Sequence, residues 1–259
     1  MITVRSCQNP EELQACVDLQ IEVWGYDESE SIPRKSFLVT QKVGGQVMGA
    51  FDSSGAGPAH RNLIGFAMSL PGVKVTSSGP KSYLHSHMLG VRDRFRNQGI
   101  GRQLKLAQRD EALQRGIHLM EWSFDPLEIK NAYLNIHRLG VVVNRYFPDF
   151  YGLSSSRLQA GLPTDRLIAE WWMDSHRVAN ILSQSRSPQC KGFPVSVQVP
   201  FEIAEWKRSA RDKALAVQQS VREQLQHHFA AGLSILGFEL DHHGNGTYQL
   251  GLWQSSPNY

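Results

Sequence analysis

The chain has 259 residues, of which 41% are hydrophobic and 20% charged, with a formal net charge of +3 and a pI near 8.8. That apolar share excludes wholesale disorder, and the mild basic excess suits an anionic ligand without describing a nucleic-acid stripe. Cys7, Cys16 and Cys190 form neither a disulfide framework nor a CxxC metal motif, and no apolar run reaches membrane-span length, so a cytoplasmic protein without a resident metal is expected.

In chain order, Ile2 to Ser6 alternates as a short strand. Asn9, Pro10, Glu11 and Glu12 then read as a cap, a first-turn proline and acids at the positive end of a helix, which the spacing of Leu13, Cys16, Val17, Gln20, Val23 and Trp24 carries to Gly25. Acidic residues also stand there where a signal peptide would be apolar. Phe37 to Val43 and Gln46 to Phe51, joined by Gly44-Gly45, predict a hairpin. Further strands are expected at Leu63 to Leu70, ended by Pro71-Gly72, and at Tyr83 to Val91. Ile100 to Arg115 is helical, with Lys105, Arg109 and Arg115 on its outer side. His118 to Phe124 is a strand, Pro126 opens a helix to Gly140, and Val141 to Phe147 and Arg166 to Met173 close a sheet. The order implies an α/β (α+β) domain over residues 1–174, a linker over 175–200, and a C-terminal extension over 201–259. That extension is a long helix, lined by Ile203, Ala214, Val217, Val221, Leu225 and Phe229, followed by a hairpin. It buries too little by itself, so it is expected to dock on the main domain or on a second copy of the chain in a homodimer.

The most informative segment is His85 to Lys105, HSHMLGVRDRFRNQGIGRQLK. A strand ends at Val91, and Arg96-Asn97-Gln98-Gly99-Ile100-Gly101 leads directly into a helix. Backbone N–H groups at a helix start form an anion site, glycine lets a phosphate approach, and Arg96 and Arg102 add positive charge. A P-loop would need Lys then Ser or Thr where Arg102-Gln103 stand, and a dinucleotide turn would need a small residue where Leu104 stands.

Arg-x-x-Gly-x-Gly between a strand and a helix resembles the acyl-CoA signature of the GNAT superfamily of N-acetyltransferases, over about residues 1–174. The resemblance implies a GNAT fold, a mixed central sheet flanked by helices, with acetyl-CoA or another acyl-CoA as co-substrate. It further implies that Arg96, Asn97, Gln98, Gly99, Gly101 and Arg102 hold the pyrophosphate. Backbone groups near Leu89 and Val91 would receive the pantetheine arm, which Asn131 would also reach.

His85 and His87 lie two apart on one strand, so simple alternation places them on one face together with Leu89 and Val91. Amide formation needs a neutral amine. For a lysine-like amine this is a handicap of roughly 4–5 kcal/mol at pH 7, and for an α-amino group about 1–1.5 kcal/mol. A base titrating near neutrality removes that proton. His-x-His-x-Leu-x-Val resembles the arylalkylamine N-acetyltransferases, whose two histidines are implicated in deprotonating the amine. A metal pair and a structural pair are the competing readings of the same spacing.

Many GNAT members carry a tyrosine, as acid for the leaving thiolate, four residues before the glycine that ends the last core helix; here Ile136 holds that position relative to Gly140. Tyr133 is the candidate substitute, with His137 beside it. The stretch Trp122 to Gly152 is similar to a little-characterised bacterial GNAT subgroup with members linked to amino-acid N-succinylation. Arg138, Arg145 and Arg166 are the cations that could receive a carboxylate, and Trp171-Trp172 reads as an acceptor wall or as buried sheet aromatics. The expected activity is direct acyl transfer from acyl-CoA to a primary amine of a small molecule, amino acids included. A non-catalytic acyl-CoA-binding regulatory module and a protein-lysine acetyltransferase are the alternatives.

Overall fold

The computed structural model describes residues 1–26, 30–54, 57–152, 159–183 and 193–253. The chain divides into two compact units, residues 1–120 and the part from Glu121 onward, with the division falling inside one strand.

The first unit begins with β1 (Ile2–Ser6) and α1 (Pro10–Trp24). Asn9 caps α1 by accepting from the Glu12 amide at 2.9 Å, and Gly25 ends it at φ 67°. Glu12 is buried and held by Arg5 at 2.7 Å and by the Gln8 amide at 2.8 Å. Next comes α2 (Arg34–Lys42), where a strand was expected. The β-branched content of Phe37–Val43 suggested extended chain, but Phe37 and Thr40, three apart, are the buried pair, while Leu38, Val39 and Val43 face outward. Period three has overridden β propensity, so the paired glycines join a helix to β2 (Gln46–Asp52) instead of closing a hairpin.

β3 (Leu63–Thr76) and β4 (Gly79–Val91) complete an antiparallel sheet in the order β1-β2-β3-β4. β3 does not stop at Pro71-Gly72 as expected. It continues to Thr76, paired with β4 along its whole length. β2 reaches only to the Gln46–Ser69 pair, so residues 70–76 form an edge, where proline is tolerated. Leu13, Cys16, Leu19 and Phe37 pack on one face against Phe66 and Met68. α3 (Ile100–Gln114) packs on the other face, placing Ile100 and Leu104 against Ile64 and Ala67. Each large apolar side chain so buried contributes about 1.5–3 kcal/mol.

β5 (Leu119–Phe124) leads into the second unit, whose strands run in the order β5-β7-β6-β9-β10-β8. They are β6 (Val142–Phe147), β7 (Arg166–Trp172), β8 (Val195–Val199), β9 (Leu233–Leu240) and β10 (Gly246–Leu252). The helix expected from Pro126 starts later, as α4 (Ile129–Ala132), and continues as a π-helical turn over Tyr133–Arg138. The stretch expected as a linker carries α5 (His176–Ser183) and β8 on either side of residues 184–192, which lie outside the described residues.

The expected long C-terminal helix is two, α6 (Ile203–Ser209) and α7 (Arg211–Ala230), broken at Ala210, where φ is −148° and ψ is 63°. They dock within this unit, as does the hairpin of β9 and β10. β9 pairs with β6 through Val143 and Ile235, and the Tyr248 hydroxyl donates to the Pro126 carbonyl at 2.7 Å. Lys207, 4% exposed, bridges Asp125 and Glu128, each at 2.8 Å. Arg222 grips the fully buried Asp165 through two nitrogens, at 2.8 and 2.9 Å, and the Tyr146 hydroxyl donates to the same carboxylate.

Candidate functional site

The turn entering α3 is built by two left-handed residues. Val91 ends β4, a short turn over Asp93–Phe95 follows, and Asn97 (φ 60°) and Gly99 (φ 80°) then curl the chain into α3. Backbone N–H groups in a turn of this kind can form an anion-binding concavity. No side chain caps α3, and its first internal bond is from the Gln103 amide to the Gly99 carbonyl at 3.0 Å, which leaves the first-turn amides of Ile100, Gly101 and Arg102 ahead of the helical ladder. A side chain added at Gly99 would meet nothing within 4 Å, so the space an anion needs is open. Arg96 donates to the Val91 carbonyl at 3.2 Å and pairs with Asp93 at 2.8 Å, where both side chains are exposed. Such a pair contributes about 0–1 kcal/mol, so Arg96 is easily redirected toward a phosphate. Gln98 is tied back to the Arg94 carbonyl at 2.9 Å.

The histidine strand differs from simple alternation. Met68 pairs with Met88 and Ser69 with Ser86, which leaves His87 as the extra residue of a β-bulge. Upstream of it, Ser86 faces α3 and accepts from the Lys105 ammonium at 2.7 Å. Downstream the phase is reversed: Met88 joins the α1–α2 core, while Leu89 and Val91 pack with Ile100 and Leu104 under α3. The expectation that Leu89 and Val91 share the face of the histidines is therefore corrected. One inserted residue divides them, and alternation cannot reveal a bulge. His85 and His87 do remain neighbours, with ring centroids 6.2 Å apart.

His87 opens into a cavity of about 570 Å³ lined by Ile32, Pro33, Val39, Met68 and Leu70, with Glu30 and Lys35 among its polar residues. The surrounding walls withdraw water from the ring and hold its pKa below the ordinary imidazole value. His87 therefore favours its neutral form at pH 7. Lys105, placed outside by the sequence pattern, is 3% exposed behind β4, and burial depresses its pKa well below that of a free lysine. Nothing in the helical period distinguishes it from Arg109.

In the second unit, Asn131 is exposed on α4, and Tyr133 is half-buried with its ring stacked on His137 at 4.4 Å. Ile136 is fully buried, so no acid occupies the position where GNAT members often carry one. Trp171 is 0% exposed and packs edge-on against Trp122, which makes it a core residue and not an acceptor wall. Arg145 already contacts two carboxylates, Glu121 and Glu170, and Arg166 is engaged by Gln159, the Asp165 carbonyl and the Tyr151 ring. Among the described residues there is no group of three or more metal-ligating side chains. Cys7 and Cys16, scattered in sequence, are buried with their sulfurs 3.9 Å apart, while Cys190 lies outside the described residues.

Comparison with protein-family models gives no match, and comparison with curated proteins gives none either. Solved structures do match. NAA60 of Arabidopsis thaliana in complex with acetyl-CoA is 17% identical over 68% of this chain and 100% of that one, with a TM-score of 0.56. The same protein with a bisubstrate analogue gives 16% identity and a TM-score of 0.52 over 66% and 98% of the two chains. A chain of the NatC complex bound to Gag peptide and CoA gives 14% and 0.50 over 65% and 96%. Together these likenesses show that the chain has the GNAT fold.

Proposed function

We propose that the chain transfers an acyl group, acetyl or another short one, from acyl-CoA to a primary amine of a small molecule, amino acids included. The observation that carries this reading is that one strand, β4, bears both functions. Its end delivers an uncapped helix start with two left-handed residues, and its middle presents His87 in the lining of an open cavity, with the His85 ring 6.2 Å from it.

Asn97, Gly99 and the first-turn amides of α3 would hold the pyrophosphate, with Arg96 and Arg102 neutralising its charge. Acyl-CoA supplies an activated thioester carbonyl. His87, neutral because its site disfavours the charged form, accepts the ammonium proton directly or through water, and His85 passes it toward solvent. The freed amine attacks the carbonyl directly, and no cysteine is used as a nucleophile. Tyr133 is the candidate donor to the departing thiolate, although a thiol of pKa near 8.5 can leave unaided. The buried aliphatic Ile136 favours one second reading, a module that binds acyl-CoA and does not turn it over.

Replacing both histidines with glutamine tests the proposal. Turnover should fall at least about a hundredfold at pH 7 with CoA affinity retained. The parent's acid limb should lie below the ordinary imidazole pKa, because the shift of His87 is downward. The deficit of the variant should shrink as pH approaches the pKa of the free amine. Equal pH–rate profiles would overturn the base assignment, and absence of turnover with any amine in the parent would favour the binding module.

A further inference from the structure

The β3–β4 hairpin extends past the rest of its sheet, and its outer edge has a defined polarity. β3 pairs Pro71 with Leu84, Val73 with Ser82, Val75 with Pro80 and Thr76 with Gly79. Antiparallel pairs alternate between those that exchange two hydrogen bonds and those that exchange none. Pro80 cannot donate, so the Val75–Pro80 pair is a non-bonded one. Pro71 falls in the same phase, and the two-residue turn closed by Thr76 and Gly79 requires the opposite phase for that pair, in agreement. The backbone groups of residues 71, 73 and 75 therefore point away from β4. Among the described residues no other strand pairs with 70–76. Their apolar side chains are also uncovered: Val73 is 67% exposed, Val75 90%, and Pro71 is exposed beside them.

We propose that this edge pairs antiparallel with the same edge of a second copy, about a two-fold axis at Val73. That register sets Val73 against the partner's Val73, exchanging two N–H···O=C bonds. It sets Pro71 against the partner's Val75, where the Pro71 carbonyl accepts and the missing N–H costs little. Lys74 then meets the partner's Gly72, whereas an axis at Lys74 would oppose two like charges in the closest type of pair. Charge and proline placement thus select one register. A hydrophobic strand edge left bare invites association, and the two residues that blunt this edge against other strands, Pro71 and Lys74, are both accommodated in this register. The pairing also sets the partner's Thr76 beside Leu70, a residue of the cavity wall, so dimer formation reaches the rim of the candidate acceptor site.

Sedimentation of the intact protein between about 5 and 500 µM, the range in which small interfaces exchange, is expected to show a monomer–dimer equilibrium. Val73→Lys should shift it to monomer with an unchanged melting temperature, because the side chain lies outside the fold. Val73→Cys should give a disulfide-linked dimer on mild oxidation, since Cα atoms of a bonded pair lie about 5.5 Å apart, within disulfide reach. Parent protein and Lys81→Cys should not cross-link. A parent that stays monomeric across the range, a dimer that survives Val73→Lys, or cross-linking at residue 81 and not at 73 would overturn the proposal.

Discussion

Two regions of this molecule handle charge in opposite ways. At the turn entering α3, Arg96 rests on an exposed aspartate, the helix start is uncapped, and the space beside Gly99 is open. In the second unit, Asp165 is fully buried and receives Arg222, the Tyr146 hydroxyl and the Asp149 amide, while Lys207 is enclosed with two carboxylates. Burial works against the charge of Lys207, yet Asp125 and Glu128 together outweigh it and raise its pKa. Burial, and then Asp165, likewise drive the Tyr146 hydroxyl pKa upward. Groups that hold a fold are matched and shielded, whereas those at the turn are exposed and weakly committed.

The sharpest way to break the contrast is to delete the shielded side of it. Truncation after Ser183 removes β9 from its place beside β6, and with it the buried Lys207 and the half-buried Arg222, leaving Asp125 and Asp165 without them. Insoluble protein or loss of cooperative melting is expected, and a soluble, equally stable, active truncation would contradict the docking. Next in size is Lys207→Ala, which leaves Asp125 and Glu128 unpaired and should cost about 3–5 kcal/mol of unfolding free energy in urea. Because the folded pKa of Lys207 is raised, its contribution is complete at neutral pH and below, and is lost only as pH climbs through that raised value. A parent whose stability already declines between pH 6 and pH 8 for this reason would be inconsistent with the assignment.

On the exposed side the effects should fall on binding. Gly99→Glu places a carboxylate where the phosphates would sit and a side chain at φ 80°, so calorimetry should show CoA affinity largely lost with the fold retained. Arg96→Ala is expected to be the mildest change. Its melting should correspond to less than about 0.5 kcal/mol, as for an ordinary surface substitution, and CoA binding should weaken and become less salt-dependent. A large stability loss in that variant would show that the turn is structural.

Much of this was legible in the sequence because local chemistry and global fold agree. Asn9-Pro10 starts α1, Gly99-Ile100 starts α3, and the β9–β10 hairpin lies where alternation put it. The failures have physical causes. Phe37–Val43 looks extended by composition, but which of its residues is buried depends on a sheet the segment has not yet met. Lys105, Lys207 and Asp165 are charged residues in the interior, and a sequence shows a charge without its partner. The open helix start at 96–102 was readable because it is a matter of backbone geometry, which glycine spacing encodes. The cavity beside His87 was not, since its walls come from α2, β3 and β4 together.

The bulge at His87 lets one strand serve two clients. Upstream of it the even positions face α3, as Ser86 does, and downstream the odd positions do, as Leu89 and Val91 show. Because His87 is the extra residue, deleting it alone would restore plain alternation, with Met68–Met88 and Ser69–Ser86 still neighbouring pairs and Leu89 and Val91 still under α3. A residue added between Met88 and Val91 has no such place to be absorbed. It would drive Val91 toward the α1 side, where Trp24 already lies within 2.9 Å of the space a β-carbon at Gly90 would fill. A single deletion at the bulge should therefore be tolerated better than a single insertion just after it.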